Sequence, residues 1–222
     1  MDDNLLAGPS EQEVAVALGE ILQHVDGRVI PPVDTVDAQG HVWSYWDLQG
    51  SDFHYCRTLS KFRICMEKYI EKKIRLKYDT KVTKPELSPN FDESALLDPA
   101  AKPLPGYPIR EEVGCLQWVA TIARPDICVP VGTLAKYVAL EPTVNIAKAC
   151  RKVMRYLITT KDQGIGYSHE QEAEFNSIYS KLLPVDKQLP AVNLFSDAGF
   201  ANCLKTMRST SGSICYYRST PI

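Results

Sequence analysis

The sequence predicts an α+β fold, with strands toward both ends of the chain and helices between them. Three observations carry this expectation. Runs that read as strands occur near 47–56, 61–66, 192–196 and 212–217. Apolar residues recur at three- and four-residue intervals through 11–25, 110–123 and 144–159, the spacing of one buried helix face. Between these blocks, residues 80–108 hold six prolines and little periodicity, as a linker or an extended wrap across a surface does.

Composition narrows the class. The chain has 222 residues, 45% hydrophobic and 23% charged, which suits a globular protein of one or two domains. A net charge of −2 excludes a uniformly basic nucleic-acid coat, although local patches matter more than the sum. No run approaches the roughly 18 consecutive apolar residues of a membrane span. The start, Met1-Asp2-Asp3-Asn4, is too acidic for a signal peptide. Seven cysteines form no C-x-x-C pair, and four histidines have no zinc spacing. The expectation is reduced, packed thiols in an intracellular protein, cytoplasmic or nuclear, with no membrane partner.

Taken in order, Leu5-Leu6-Ala7 before Gly8-Pro9 reads as a short strand meeting a turn. Ser10 to Glu13 has the form of a capping box. Val14, Ala17, Leu18, Ile21, Leu22 and Val25 then predict a helix over 11–25. Residues 31–41 read as loop, and the runs at 47–56 and 61–66 as a hairpin through Arg57 to Ser60. Trp43, Tyr45 and Trp46 read as packing groups. Glu67 to Lys77 reads as a helix with Tyr69, Ile70 and Ile74 inward. A helix over 110–123 breaks at Arg124-Pro125-Asp126, where Pro125 suits a first turn. A second helix runs to about Ala139. A third spans Val144 to about Thr159, with Ile146, Ala149, Cys150, Val153 and Leu157 inward. Residues 168–190 read as a polar linker.

Two features suggest chemistry. Asp2-Asp3 is either a solvated acidic pair or a turn presenting carboxylates to divalent metals. Lys148, Arg151, Lys152 and Arg155 fall at i, i+3, i+4 and i+7 on the third helix, and Lys68, Lys72 and Arg75 share a similar spacing. Residues 61–77 hold seven positive and two negative side chains, and 141–161 hold five and one. Such stripes are solvated helix faces or sequence-independent phosphate contacts.

Met1-Asp2-Asp3-Asn4-Leu5-Leu6-Ala7-Gly8 resembles the Asp-Asp segment of reverse transcriptases. Glu112-Val113-Gly114-Cys115-Leu116-Gln117-Trp118-Val119-Ala120, followed by Thr121 to Ile127, is similar to a segment of copia-type retrotransposons. Lys152 to Ile165 resembles the segment that follows it in that family. Ser196-Asp197-Ala198-Gly199-Phe200-Ala201, with Arg208 to Gly212, looks like the family's ribonuclease H start. The resemblance implies a partial reverse transcriptase palm and thumb over 1–79, a Pro-rich linker over 80–108 and a helical connection region over 109–167. It further implies a polar linker over 168–190 and incomplete ribonuclease H-like strands over 191–222.

By the same resemblance Asp2, Asp3 and Asp197 stand at catalytic, metal-binding positions for Mg²⁺ or Mn²⁺, and Leu48 to Gly50 fall near the primer grip. The implied partner is a template–primer or an RNA/DNA hybrid. The family's fingers, its earlier palm carboxylate and the later ribonuclease H ligands have no counterpart in residues 1–222, and Gly199 and Phe200 replace the family's second Asp and its Trp. The expectation is therefore a polymerase fragment without activity by itself. A non-catalytic nucleic-acid-binding module or a non-functional retroelement relic are the alternatives.

Overall fold

The structure, a computed structural model, describes residues 8, 10–184, 189–201 and 203–222. The chain is a mixed α and β protein with two antiparallel sheets. The strand expected at residues 4–7 lies outside the described residues. Helix α1 (Glu11–Leu22) begins at Ser10, whose side chain accepts the Glu13 N–H as the capping motif predicts. It ends before residue 25, and its predicted inward face is not buried: Ile21 is 46% and Val25 59% exposed.

The first sheet has the order β1-β2-β3-β4-β5. Strand β1 (Val33–Val36) corrects the loop expected at 31–41. It pairs with β2 (Val42–Leu48) because Asp37 organises the turn between them. The Asp37 carboxylate accepts the Gln39 and His41 N–H groups at 2.9 Å and the Trp43 indole at 3.0 Å. Pro31-Pro32 and the acidic residues 34 and 37 hide this hairpin from a pattern reading. Strands β3 (Ser51–Cys56) and β4 (Lys61–Cys65) form the predicted hairpin, but the run expected over 47–56 is split, its first two residues ending β2. Leu48 to Gly50 make the β2–β3 turn, where Gln49 and Gly50 take φ of 53° and 79°, the left-handed pair of a two-residue hairpin loop.

Strand β5 (Gly164–Tyr167) adds to β4, with Cys65 facing Gly164. The connection region expected over 109–167 therefore ends in a strand of the first sheet. Two glycines in four residues gave it no β signature. Gly164 is required by proximity: a Cβ there would overlap the Ile64 carbonyl.

Helix α2 (Glu67–Tyr69) runs into a π-helical segment, Ile70–Leu76, and buries Ile70 and Ile74 as predicted. These side chains pack on α3 (Ile109–Ile122), α4 (Cys128–Ala135) and α5 (Val144–Thr159) in one aliphatic core. Pro125 opens the short 3₁₀ turn before α4, which ends four residues earlier than expected. Helix α5 has the predicted bounds, with Thr143 as its cap, and Ile146, Ala149, Cys150, Val153 and Leu157 are buried. The Pro-rich stretch takes the wrapped form, sinking Leu96 into the core and packing Val82 and Phe91 against it.

Residues 168–190 are not simply a linker, since they contain α6 (His169–Tyr179), capped by Ser168. Its polar, Glu-rich sequence left only Phe175 buried, too weak a stripe to read. Phe175 and Tyr179 stack on Phe195 and Tyr216 at centroid distances of 4.9–6.4 Å. Those partners belong to β6 (Val192–Gly199) and β7 (Thr210–Tyr217), which with β8 (Thr220–Pro221) make the second sheet. No helix among the described residues is long and apolar enough to cross a membrane.

Candidate nucleic-acid interface

The basic stripe on α5 is built as the periodicity predicts, but its members differ in what they touch. Arg151 turns inward. Its guanidinium donates to the Tyr78 carbonyl at 2.6 Å and to Thr80 Oγ1 at 3.2 Å, and lies 2.9 Å from Glu112 Oε1. Glu112 has no exposed side-chain surface and accepts the Tyr107 hydroxyl. The Arg151 N–H directions miss Glu112 Oε1, which has no hydrogen-bond donor; that contact is an ion pair. Burial pushes the Glu112 carboxyl above the usual carboxylate range, against the pull of Tyr107 and Arg151.

Of the other three stripe residues, two are half-buried. Lys148 is exposed. Lys152 and Arg155 lie 4.0 and 3.9 Å from the two carboxylate oxygens of Glu86 on the Pro-rich strap. The second stripe is broken by local geometry. The i→i+5 winding of Ile70–Leu76 carries Arg75 off the line that a 3.6-residue repeat would draw through Lys68 and Lys72. Arg75 pairs with Glu71 at 2.9 Å. Lys68 bonds the Tyr45 hydroxyl and approaches Asp47 at 3.5 Å. Lys72 remains exposed.

Arg124 and Asp126 join two of the resemblance-bearing segments. Arg124 is 1% exposed and donates twice to Asp126, at 2.9 and 2.8 Å. It also donates to the carbonyl and hydroxyl of Thr160, both at 2.8 Å, while the Tyr156 hydroxyl donates to Asp126 at 2.7 Å. Burial works to raise the Asp126 carboxyl, but the Arg124 and Tyr156 hydrogen bonds outweigh it and hold the group below its ordinary range.

Asp197 lies exposed on β6, opposite Gly212, and accepts the Ala198 N–H at 2.8 Å. It borders a cleft of about 860 Å³ between the α3–α4 corner and the second sheet, whose walls include Ala120, Cys128, Ile165, Leu194 and Ile222. Among the described residues no group of three His, Cys, Asp or Glu side chains could hold a metal ion. Mg²⁺ requires several oxygens in near-octahedral array, of which Asp197 would supply one. Asp2 and Asp3 lie outside the described residues.

One cluster escaped the sequence reading. Cys65 Sγ lies 3.6 Å from His54 Nε2. Beside it the Tyr45 hydroxyl donates to Asp52 at 2.6 Å, and Asp52 accepts the Lys68 backbone N–H at 3.1 Å, capping the start of α2. Burial raises the Cys65 thiol, while burial and the nearby Arg63 lower the His54 imidazole. Both shifts favour the neutral pair over a thiolate–imidazolium nucleophile. The partners are 11 residues apart on adjacent strands, so only the strand register could have revealed them.

No protein-family model matches the chain, and no solved structure matches it. The chain is similar to the secreted RxLR effector protein 161 of Plasmopara viticola, at 27% identity over 105 residues. That match covers 47% of this chain and 61% of the relative.

Proposed function

We propose that this chain is a fragment of a copia-type reverse transcriptase and ribonuclease H polyprotein, incomplete as a catalyst, that contacts the phosphate backbone of a template–primer or RNA/DNA hybrid through α5. The observation that carries this reading is the Arg124–Asp126–Tyr156–Thr160 network. It locks together the two segments on which the resemblance chiefly rests, 112–127 and 152–165, as parts of one unit. The Lys148, Lys152 and Arg155 side chains supply the backbone contacts. An intracellular setting, cytoplasmic or nuclear, belongs to the same proposal.

Catalytic incompleteness is part of the same proposal, because Gly199 stands where the family's second Asp would offer a further metal ligand. Purified chain given primer–template and RNA/DNA hybrid, with Mg²⁺ or Mn²⁺, is expected to show neither extension nor cleavage. Turnover that disappears on Asp197→Ala would overturn this part of the reading. The RxLR effector points to a second reading, as a secreted effector. Its support is the match over 105 residues.

A further inference from the structure

The strap over residues 80–97 crosses the α5 stripe at the place where its cations should meet a ligand. The Glu86 backbone N–H donates to Thr159 Oγ1 at 3.2 Å, which moors the strap over the last turns of α5. From there its carboxylate reaches both Lys152 and Arg155, one oxygen near each, at 4.0 and 3.9 Å. A carboxylate shared between two cations on one helix face has the charge and spacing of a bound phosphate oxygen pair. The separations are loose, and both cations keep about a third of their side-chain surface exposed. Next to Glu86, Leu87 is 82% exposed, so the strap is held by Val82 and the buried Pro89 on either side of an exposed tip. Lys148, one turn nearer the helix start, is left open.

We propose that Glu86 is an internal stand-in for phosphate, and that a nucleic-acid backbone engages Lys152 and Arg155 only by displacing the strap's tip. This rests on the reading of α5 as the contact surface. Lys148 then provides the first contact, and the strap sets a threshold that a polyanion overcomes by replacing one carboxylate with several phosphates.

The test uses the full chain, a fluorescently labelled RNA/DNA hybrid duplex at low salt, and anisotropy titrations. Glu86→Gln keeps the backbone mooring and is expected to tighten binding roughly 3- to 10-fold. The gain should vanish when Lys152→Gln and Arg155→Gln are also present. Amide deuterium uptake over 84–88 should rise when duplex is added to the wild-type chain. If Glu86→Gln changes nothing while Lys152→Gln plus Arg155→Gln weakens binding, the strap proposal is overturned and the α5 reading survives. A gain that persists without the two cations reflects net charge alone and also overturns it. If neither the wild type nor Glu86→Gln binds, both readings fall.

Discussion

The helical centre and the second sheet are stabilised in different ways, although the resemblance touches both. In the centre, α3, α4, α5 and the π-helical segment bury a continuous aliphatic cluster, with Arg124 buried against Asp126 and the half-buried Arg151 against the buried Glu112. In the second sheet the packing is a thin aromatic layer against α6, in which Phe175 is the buried ring. Leu194 remains 68% exposed. Arg124 and Asp126, within a family-like motif, act as part of the core, whereas Asp197 stands on an open strand. Arg124 and Asp126 are thus architectural, whereas Asp197 holds a surface position.

That contrast can be broken by substitution. Leu157→Ala, at a position with no exposed surface, is expected to cost about 3–4 kcal/mol of unfolding free energy. Leu194→Ala should stay within about 0.5 kcal/mol. Urea denaturation followed by tryptophan fluorescence and far-UV circular dichroism measures both, and equal losses would erase the distinction.

Asp126→Asn comes next, at about 2–3 kcal/mol, because the amide keeps one acceptor oxygen for Arg124 but removes the second and the negative charge that pairs the buried guanidinium. The pH dependence of this effect has a definite sign. The folded Asp126 carboxyl is held below its ordinary range, so its contribution is full above the unfolded value near 4 and fades as pH falls through the folded one. Wild type and Asp126→Asn should therefore converge in stability under strong acid. Glu112 opposes this trend. Its raised carboxyl means that folding favours the protonated form, so this group's stabilising effect is lost as pH rises from the ordinary Glu range through the folded value. A constant Asp126→Asn difference from pH 7 down to pH 2 would show that Asp126 does not titrate as described.

Gly164→Ala is the smallest of the core effects, at about 1–3 kcal/mol, through overlap with the Ile64 carbonyl. It sharpens the comparison because it loosens β5 from β4 without touching the helical cluster. Deuterium exchange should quicken in 61–65 and 164–167 and leave α5 protected. Loss of protection throughout α5 would show that sheet and helices open as one unit.

Much of the centre was legible from sequence. Thr143, Val144 and the Ile146–Leu157 stripe give α5 its bounds because a capped amphipathic helix announces both its start and its face. β5 and α6 were not legible. Gly164 and Gly166 reveal their purpose only beside β4, and α6 buries too little to show a stripe. Spacing sets the α5 cations along one helix, but it could not show that Arg151 turns to Glu112 or that Glu86 meets Lys152 and Arg155. Those partners come from segments 39 to 69 residues away in sequence.

The most direct test of the account is the salt dependence of hybrid-duplex binding by the wild-type chain and by Lys148→Gln/Lys152→Gln/Arg155→Gln. If α5 carries the backbone contacts, the wild type binds at low salt. The slope of log affinity against log salt should then become shallower by about 2–3 in the triple variant. An unchanged slope, or no binding by the wild type at low salt, would contradict the account.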